Sequence, residues 1–141
     1  MQIPDLIPDL VEELRAVLGD RLATGTVVRD AHGRDESHHP PAPPDAVAFV
    51  RSTDEVVAVV RACAAHGVPV IPFGTGTALE GGVGAIKGGI CIDLSGMDRI
   101  LRVSADDMDV TVEAGVTRKR LNEELRDTGL FFPIDPGADA S

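Results

Sequence analysis

Residues 72–84 have the sequence PFGTGTALEGGVG and directly follow VPVI, a short apolar run that predicts a β-strand. Glycines recur from Gly74 to Gly89, and a glycine backbone can turn sharply and leave its N–H groups exposed. Successive N–H groups in such a turn form an anion nest, for which a phosphate or pyrophosphate is the natural ligand. A flexible glycine-rich connector without a ligand is the alternative that this stretch leaves open.

The spacing of these glycines departs from two familiar phosphate-binding motifs. The dinucleotide fingerprint GxGxxG needs a third glycine where this chain has Leu79. The P-loop GxxxxGK[ST] matches at Gly76 and Gly81, but Gly82 and Val83 replace its Lys and its Ser or Thr. Without that Lys to reach the phosphates, nucleotide hydrolysis is not expected. A third kind of phosphate loop is therefore required.

The hydrophobic pattern around the loop predicts alternating helices and strands. Helices are predicted at 5–18, 52–66 and 117–127, and strands at 46–50, 68–72, 90–94, 100–103 and 109–113. Residues 24–44 carry no hydrophobic period and contain four prolines near their end, so they predict an extended, ordered loop or a linker. Because aromatic residues make up only 3% of the chain, the core must consist mainly of Val, Leu, Ile and Ala.

Composition excludes several classes of function. The 141 residues carry a net charge of −10, which argues against binding to nucleic acid or to anionic lipid. No apolar run approaches the roughly 18 residues of a membrane span. The N-terminal stretch is acidic where a targeting peptide is basic, so a cytoplasmic location is expected. The two cysteines, Cys63 and Cys91, are far apart and predict neither a disulfide scaffold nor a zinc site.

No metal ligand is predicted, although two groups of residues could be taken for one. Adjacent histidines such as His38 and His39 cannot easily face one ion, and they are interpreted as surface-loop residues. Asp106, Asp107 and Asp109 resemble part of a calcium loop, but the Gly and the distal Glu of such a loop are absent. These aspartates are interpreted as turn and strand-edge residues.

Four segments, in order, resemble one family. VPVIPFGTGTALEGG resembles the pyrophosphate loop of vanillyl-alcohol-oxidase-type (PCMH-type) FAD-binding domains, closest to the D-lactate dehydrogenase (cytochrome) and glycolate oxidase group. HGRDESHHPPAPPDAVAFVRSTDEVVAVVRAC, VTVEAGVTRKRLNEEL and FFPIDPGADAS are similar to the segments that flank this loop in that group. The resemblance implies an α+β fold. It comprises a first subdomain and an incomplete second one, with residues 1–45 as an N-terminal helix and extended loop and residues 46–141 as the FAD-binding domain.

The resemblance also implies which residues bind FAD. Those that would wrap the pyrophosphate and continue along the cofactor are Pro72, Phe73, Gly74, Thr75, Gly76, Thr77, Leu79, Glu80 and Gly81. Those that would flank the flavin end are Pro136, Gly137, Ala138, Asp139 and Ser141. Several superfamily members attach the flavin through a His at the position of Thr77. Because threonine cannot do so, non-covalent FAD is expected.

The implied activity is oxidation of a D-2-hydroxy acid, of the D-lactate or glycolate type, to the 2-oxo acid. A quinone or a cytochrome would accept the electrons, and the full-length enzyme could be peripheral to a membrane. The family's catalytic and metal-binding residues lie downstream, so this chain is expected to be an N-terminal fragment without catalytic residues and inactive alone. Two alternatives stay open: a flavoenzyme of the same superfamily that oxidises another alcohol, and a truncated, non-catalytic product.

Overall fold

A computed structural model of the chain describes residues 8–134, which form two sheets with flanking helices. The α-helices are α1 (Pro8–Leu18), α2 (Thr26–His32), α3 (Thr53–Ala65) and α4 (Arg118–Leu125). The strands are β1 (Leu22–Ala23), β2 (Ala46–Phe49), β3 (Val70–Phe73), β4 (Ile90–Asp93), β5 (Ile100–Ser104) and β6 (Asp109–Val112). Single 3-10 turns follow α1 at Gly19–Arg21 and α4 at Arg126–Thr128.

The first sheet has the strand order β1-β2-β4-β3. Strands β2 and β3 both pair with β4 in parallel, and β1 pairs with β2 antiparallel. The register aligns the last residues of the three parallel strands, so that Phe49 and Phe73 both lie opposite Asp93. Side chains of neighbouring strands in register point to the same face of a sheet. Three residues that are distant in sequence therefore meet at the carboxyl edge of this sheet.

Helices α1 and α3 pack together on one face of the first sheet and enclose the main core. Its buried members are Leu10, Leu14, Leu18, Leu22, Ala46, Ala48, Val50, Val59, Ala62, Cys63, Ile90, Ile92 and Met97. Ser52 caps α3, since its hydroxyl accepts a hydrogen bond from the N–H of Glu55. The bidentate ion pair of Glu55 with Arg21 ties α3 to the turn after α1 and lowers the pKa of the Glu55 carboxyl.

The predicted strands and helices are present with ends shifted by a few residues, and the structure corrects two predictions. Residues 24–44 are not simply an extended loop, because α2 lies within them. The segment TVVRDAH has no apolar stripe, and Arg29 anchors the helix by donating to the carbonyl of Pro44 at 2.6 Å. On α3, the helical spacing of Val56, Val60 and Cys63 predicts that these residues share the buried face, but Val60 is exposed and Val59 is buried instead.

The second sheet is the antiparallel pair β5–β6. A turn joins the strands at residues 105–108, which confirms that Asp106 and Asp107 are turn residues and that Asp109 begins a strand. Helix α4 follows and buries Leu121 and Leu125. Every helix within residues 8–134 is too short or too polar to cross a membrane. The division of the chain at residue 45 stays a prediction.

We expect Leu14→Ala to lower the free energy of unfolding by about 2–5 kcal/mol. Leu14 projects from α1 into the main core and is fully buried there, so truncating its side chain leaves a cavity. Urea denaturation followed by circular dichroism measures the change. Val17→Ala on the same helix is the control. Because Val17 is 38% exposed, this substitution should lower the free energy of unfolding by well under ~1 kcal/mol. Equal losses in the two variants would show that α1 is not docked as described.

Candidate functional site

The glycine-rich loop begins at the carboxyl end of β3 and returns to the start of β4. Four of its glycines, Gly76, Gly81, Gly88 and Gly89, have φ between +69° and +113°, which residues with a Cβ rarely adopt. Parallel strands present loops at their carboxyl ends, and that edge is where open α/β sheets bind ligands. The loop predicted to bind phosphate is therefore at the edge where a ligand is expected.

Residues 33–45 pack against this loop and hold its ends. The N–H of Glu36 donates to the carbonyl of Ala78 at 3.1 Å, and the N–H of Ala85 donates to the carbonyl of Ala42 at 2.8 Å. Asp45 and Gly89 bond to each other twice, once through Asp45 N–H and once through the Asp45 carboxylate. Residues 33–45, predicted as part of an ordered loop or a linker, are thus held against the glycine loop by hydrogen bonds.

The first turn of the loop exposes unused backbone donors. The N–H groups of Gly74, Thr75 and Gly76 donate to no acceptor within residues 8–134. The Thr75 and Thr77 hydroxyl oxygens lie 2.9 Å apart and share a hydrogen bond. Consecutive free N–H groups on a left-handed turn suit an anion. This donor set fits the pyrophosphate of a dinucleotide.

Glycine is required at position 76 for the backbone to lie where it does. A Cβ there would stand 3.0 Å from Cζ of Phe73 on one side, while the position of a Cβ on Gly74 is open for at least 4 Å. The ring of Phe73 and the carbonyl of Arg34 therefore lie against the turn at Gly76, whereas the backbone at Gly74 has open space beside it. A ligand could approach the turn closely at Gly74.

Two clefts flank the loop. The smaller, of about 200 Å³, is lined by Ala31, Arg34, Asp35, Glu36, Phe73, Thr75 and Gly76. The larger, of about 600 Å³, is lined by His39, Pro40, Pro41, Ala42, Glu80, Gly81, Gly84, Ala85 and Ile86. The linings of the two clefts form the candidate surface and include five of the predicted loop residues, Phe73, Thr75, Gly76, Glu80 and Gly81. Leu79 is 68% exposed on the same loop.

Asp35 and His39 belong to this surface although the sequence did not indicate them. The N–H of Ser37 donates to Asp35 Oδ1 at 3.0 Å, and the hydrogen bond from the Ser37 side chain lowers the pKa of the Asp35 carboxyl. The other carboxylate oxygen is buried without a partner in the described part of the chain. His39 lies so close to Gly81 that a Cβ there would be 2.3 Å from its ring.

His32 and Asp93 form a buried pair that sequence reasoning also missed. His32 Nε2 lies 2.8 Å from Asp93 Oδ2, and the two side chains are 11% and 6% exposed. The imidazole ring also contacts Phe49 edge-on at 5.5 Å and Phe73 at 4.4 Å between ring centroids. An aspartate at the end of an otherwise apolar strand was the signal that could have indicated this pair.

The remaining candidates behave as structural residues. Burial raises the pKa of the Cys63 thiol to about 11 and that of Cys91 to about 12, so neither is a ready nucleophile. The rings of His38 and His39 stack at 4.3 Å, and no group of three metal-binding side chains occurs within residues 8–134. The predicted flavin-end residues Pro136, Gly137, Ala138, Asp139 and Ser141 lie outside the described residues.

Sequence comparison finds one family model along most of the chain. The model described as "FAD binding domain" matches residues 44–141. A probable mitochondrial D-lactate dehydrogenase of Danio rerio is 56% identical over 133 residues, which cover 94% of this chain and 27% of the relative. The mitochondrial D-lactate dehydrogenase [cytochrome] of Arabidopsis thaliana is 42% identical, with 94% and 24% covered. Glycolate oxidase subunit GlcD of Bacillus subtilis is 31% identical, with 92% and 28% covered.

Comparison with solved structures finds the same α+β architecture. An alkyldihydroxyacetonephosphate synthase superposes with a TM-score of 0.85 at 24% identity, covering 99% of this chain and 28% of that one. A p-cresol methylhydroxylase with substrate bound superposes with a TM-score of 0.77 at 22% identity, covering 87% and 25%. The chain thus has the PCMH-type fold and spans about a quarter of the length of the curated relatives it matches.

Proposed function

The chain belongs to the FAD binding domain family, and from this premise we propose that residues 73–77 wrap the FAD pyrophosphate in an enzyme that oxidises a D-2-hydroxy acid. Pro72, Leu79, Glu80 and Gly81 are proposed to contact the same cofactor. The cofactor of the family is FAD. The observation that carries the proposal is the turn Gly74–Gly76 at the carboxyl end of a parallel strand, whose three N–H groups donate to no acceptor in the part of the chain that the structure describes. The residues proposed to contact the flavin end are Pro136, Gly137, Ala138, Asp139 and Ser141.

The proposed role of this segment is to bind and orient the cofactor. The N–H groups of Gly74, Thr75 and Gly76 donate to the phosphate oxygens, and the missing side chain at Gly76 lets the phosphates approach the backbone. Charge-assisted hydrogen bonds of this kind are stronger than neutral ones. When bound, FAD supplies a two-electron acceptor for oxidation of an alcohol carbon. Thr77 offers no group for covalent attachment, so the flavin is held non-covalently.

The proposed substrate is D-lactate, because the two relatives with the higher identities carry that name. Glycolate is the second candidate, supported by the name of the Bacillus subtilis relative. A cytochrome is the proposed electron acceptor, with a quinone as the alternative. These assignments concern a protein of the relatives' full length. The cytoplasmic location and the inactivity of the isolated 141 residues stay predictions.

The first experiment is a titration of the purified chain with FAD, followed by flavin fluorescence, with circular dichroism as the check on folding. Saturable binding that ADP competes away is expected, because ADP carries the same pyrophosphate. Acid precipitation should then release all the flavin into the supernatant. Flavin that remains with the precipitate would contradict non-covalent binding, and a folded chain that binds no FAD would contradict the proposed role of the loop.

The substrate is tested in a protein of the relatives' full length that contains these residues. Anaerobic addition of D-lactate should bleach the absorbance of the bound flavin faster than glycolate does. L-lactate is the matched control, since it differs only in configuration at the oxidised carbon. If glycolate reduces the flavin faster, glycolate becomes the proposed substrate. If neither acid reduces the flavin, the result would support another alcohol as the substrate.

A further inference from the structure

His32 lies where the three parallel strands end. Phe49, Asp93 and Phe73 are the last residues of β2, β4 and β3, and the register places them side by side on one face. The imidazole ring contacts all three, by a hydrogen bond to Asp93 and by ring contacts to the two phenylalanines. One side chain from α2 therefore connects the carboxyl ends of three strands.

Hydrogen bonding fixes the orientation of this ring. His32 Nδ1 lies 2.8 Å from the carbonyl of Val28, and a carbonyl only accepts, so Nδ1 carries a proton. Asp93 accepts at its other oxygen from both the N–H and the hydroxyl of Ser95, which fixes the orientation of the carboxyl group. His32 Nε2 and Asp93 Oδ2 share a hydrogen bond at 2.8 Å. Both ring nitrogens are engaged, so the ring has one favoured orientation.

The imidazole ring of His32 contacts the glycine-rich loop indirectly, through the ring of Phe73. The Phe73 ring lies between the imidazole, 4.4 Å away between centroids, and the turn at Gly76, where a Cβ would stand 3.0 Å from Cζ. Gly76 has φ +71° and is held by no hydrogen bond from its own N–H within residues 8–134. Packing on Phe73 is thus one restraint on the position of the turn, beside the hydrogen bond from the Glu36 N–H to the Ala78 carbonyl.

We propose that His32 and Asp93 are positioning residues for cofactor binding: the pair holds the Phe73 ring in place, and that ring supports the Gly74–Gly76 turn in the conformation that presents its N–H groups to the pyrophosphate. The inference rests on the proposed function, because it assumes that this turn is the phosphate site. A purely structural pair would stabilise the fold and leave the affinity for FAD unchanged. The two roles therefore differ in a measurable quantity.

The test compares three substitutions in the whole chain. His32→Leu removes the ring and both hydrogen bonds, and His66→Leu is the matched control. His66 also contacts a carboxylate, Glu13 at 3.4 Å, but it precedes β3 at the end opposite the loop. Asp93→Asn is the conservative variant, because an asparagine amide can donate to His32 Nε2 while its oxygen still accepts from Ser95. The readouts are the Kd for FAD, the urea midpoint, and the amide resonances of residues 74–76 without cofactor.

His32→Leu is expected to raise the Kd for FAD at least tenfold and to shift the Gly74–Gly76 amide resonances. For His66→Leu and Asp93→Asn, the Kd for FAD should stay within about threefold of that of the unsubstituted chain. This corresponds to a change in binding free energy of under ~0.7 kcal/mol. A lower urea midpoint with an unchanged Kd and unchanged loop resonances in folded His32→Leu would overturn the inference. Absence of FAD binding by the unsubstituted folded chain would instead overturn the proposed function, and the loop resonances would still report on positioning.

A second variant covers the case in which His32→Leu does not fold. Phe73→Leu keeps the His32–Asp93 pair and removes the ring between it and Gly76. The inference predicts a similar rise in Kd and similar shifts of the loop resonances. Unchanged FAD binding by folded Phe73→Leu would show that the ring does not support the turn, and the inference would be wrong.

Discussion

Gly76→Val is expected to weaken FAD binding roughly 100-fold or more. A valine Cβ would meet the Phe73 ring at 3.0 Å and would be strained at φ +71°, so the turn must move. Moving the turn misaligns the N–H groups of residues 74–76. Losing two charge-assisted hydrogen bonds costs about 3 kcal/mol, which corresponds to a factor of about 100 in Kd. Flavin fluorescence titration measures the change.

Gly67→Val is the matched control for backbone strain. Gly67 has φ +66°, ends α3 and has no heavy atom within 4 Å of its Cβ position. The substitution should cost about 1–2 kcal/mol of stability and leave the Kd for FAD unchanged. Unaltered FAD affinity in Gly76→Val would remove the assignment of the loop as the phosphate site. An equal loss of affinity in both variants would attribute the effect to general destabilisation.

Gly89→Ala is expected to lower the free energy of unfolding by about 3 kcal/mol. Gly89 has φ +113°, and a Cβ there would lie 2.3 Å from the carbonyl oxygen of Pro69. The strained backbone and the enforced displacement each cost on the order of 1–3 kcal/mol. Displacement would also weaken the paired bonds between Gly89 and Asp45 that anchor the end of the loop. Urea denaturation followed by circular dichroism measures the loss.

The control for Gly89 is Gly25→Ala, because Gly25 has an ordinary extended backbone and no heavy atom within 4 Å of its Cβ position. The Gly25→Ala substitution should change the free energy of unfolding by under ~1 kcal/mol. A Gly89→Ala variant as stable as this control would mean that the loop does not join β4 as described.

Sequence reasoning located the loop but not the residues beneath it. The spacing of Gly74, Gly76 and Gly81 is visible as letters, and glycine has a local conformational reason to occur there. By contrast, His32 looks like an ordinary polar residue in a segment without hydrophobic period. Helix α2 is invisible for the same reason, since contacts to Pro44 and Asp93 hold it rather than an apolar stripe. Tertiary contacts of this kind leave no periodic trace in a sequence.

By itself the sequence predicted α1, α3, α4, the strands β2 to β6 and the glycine turn after β3, because helix caps, hydrophobic periods and glycine turns depend on residues a few positions apart. Only the tertiary structure decided which distant residues meet there. Phe49, Phe73 and Asp93 become neighbours because parallel pairing sets the register of three strands, and the register depends on packing across the whole sheet. His32, on helix α2, then contacts all three residues, and the sequence alone did not predict that helix.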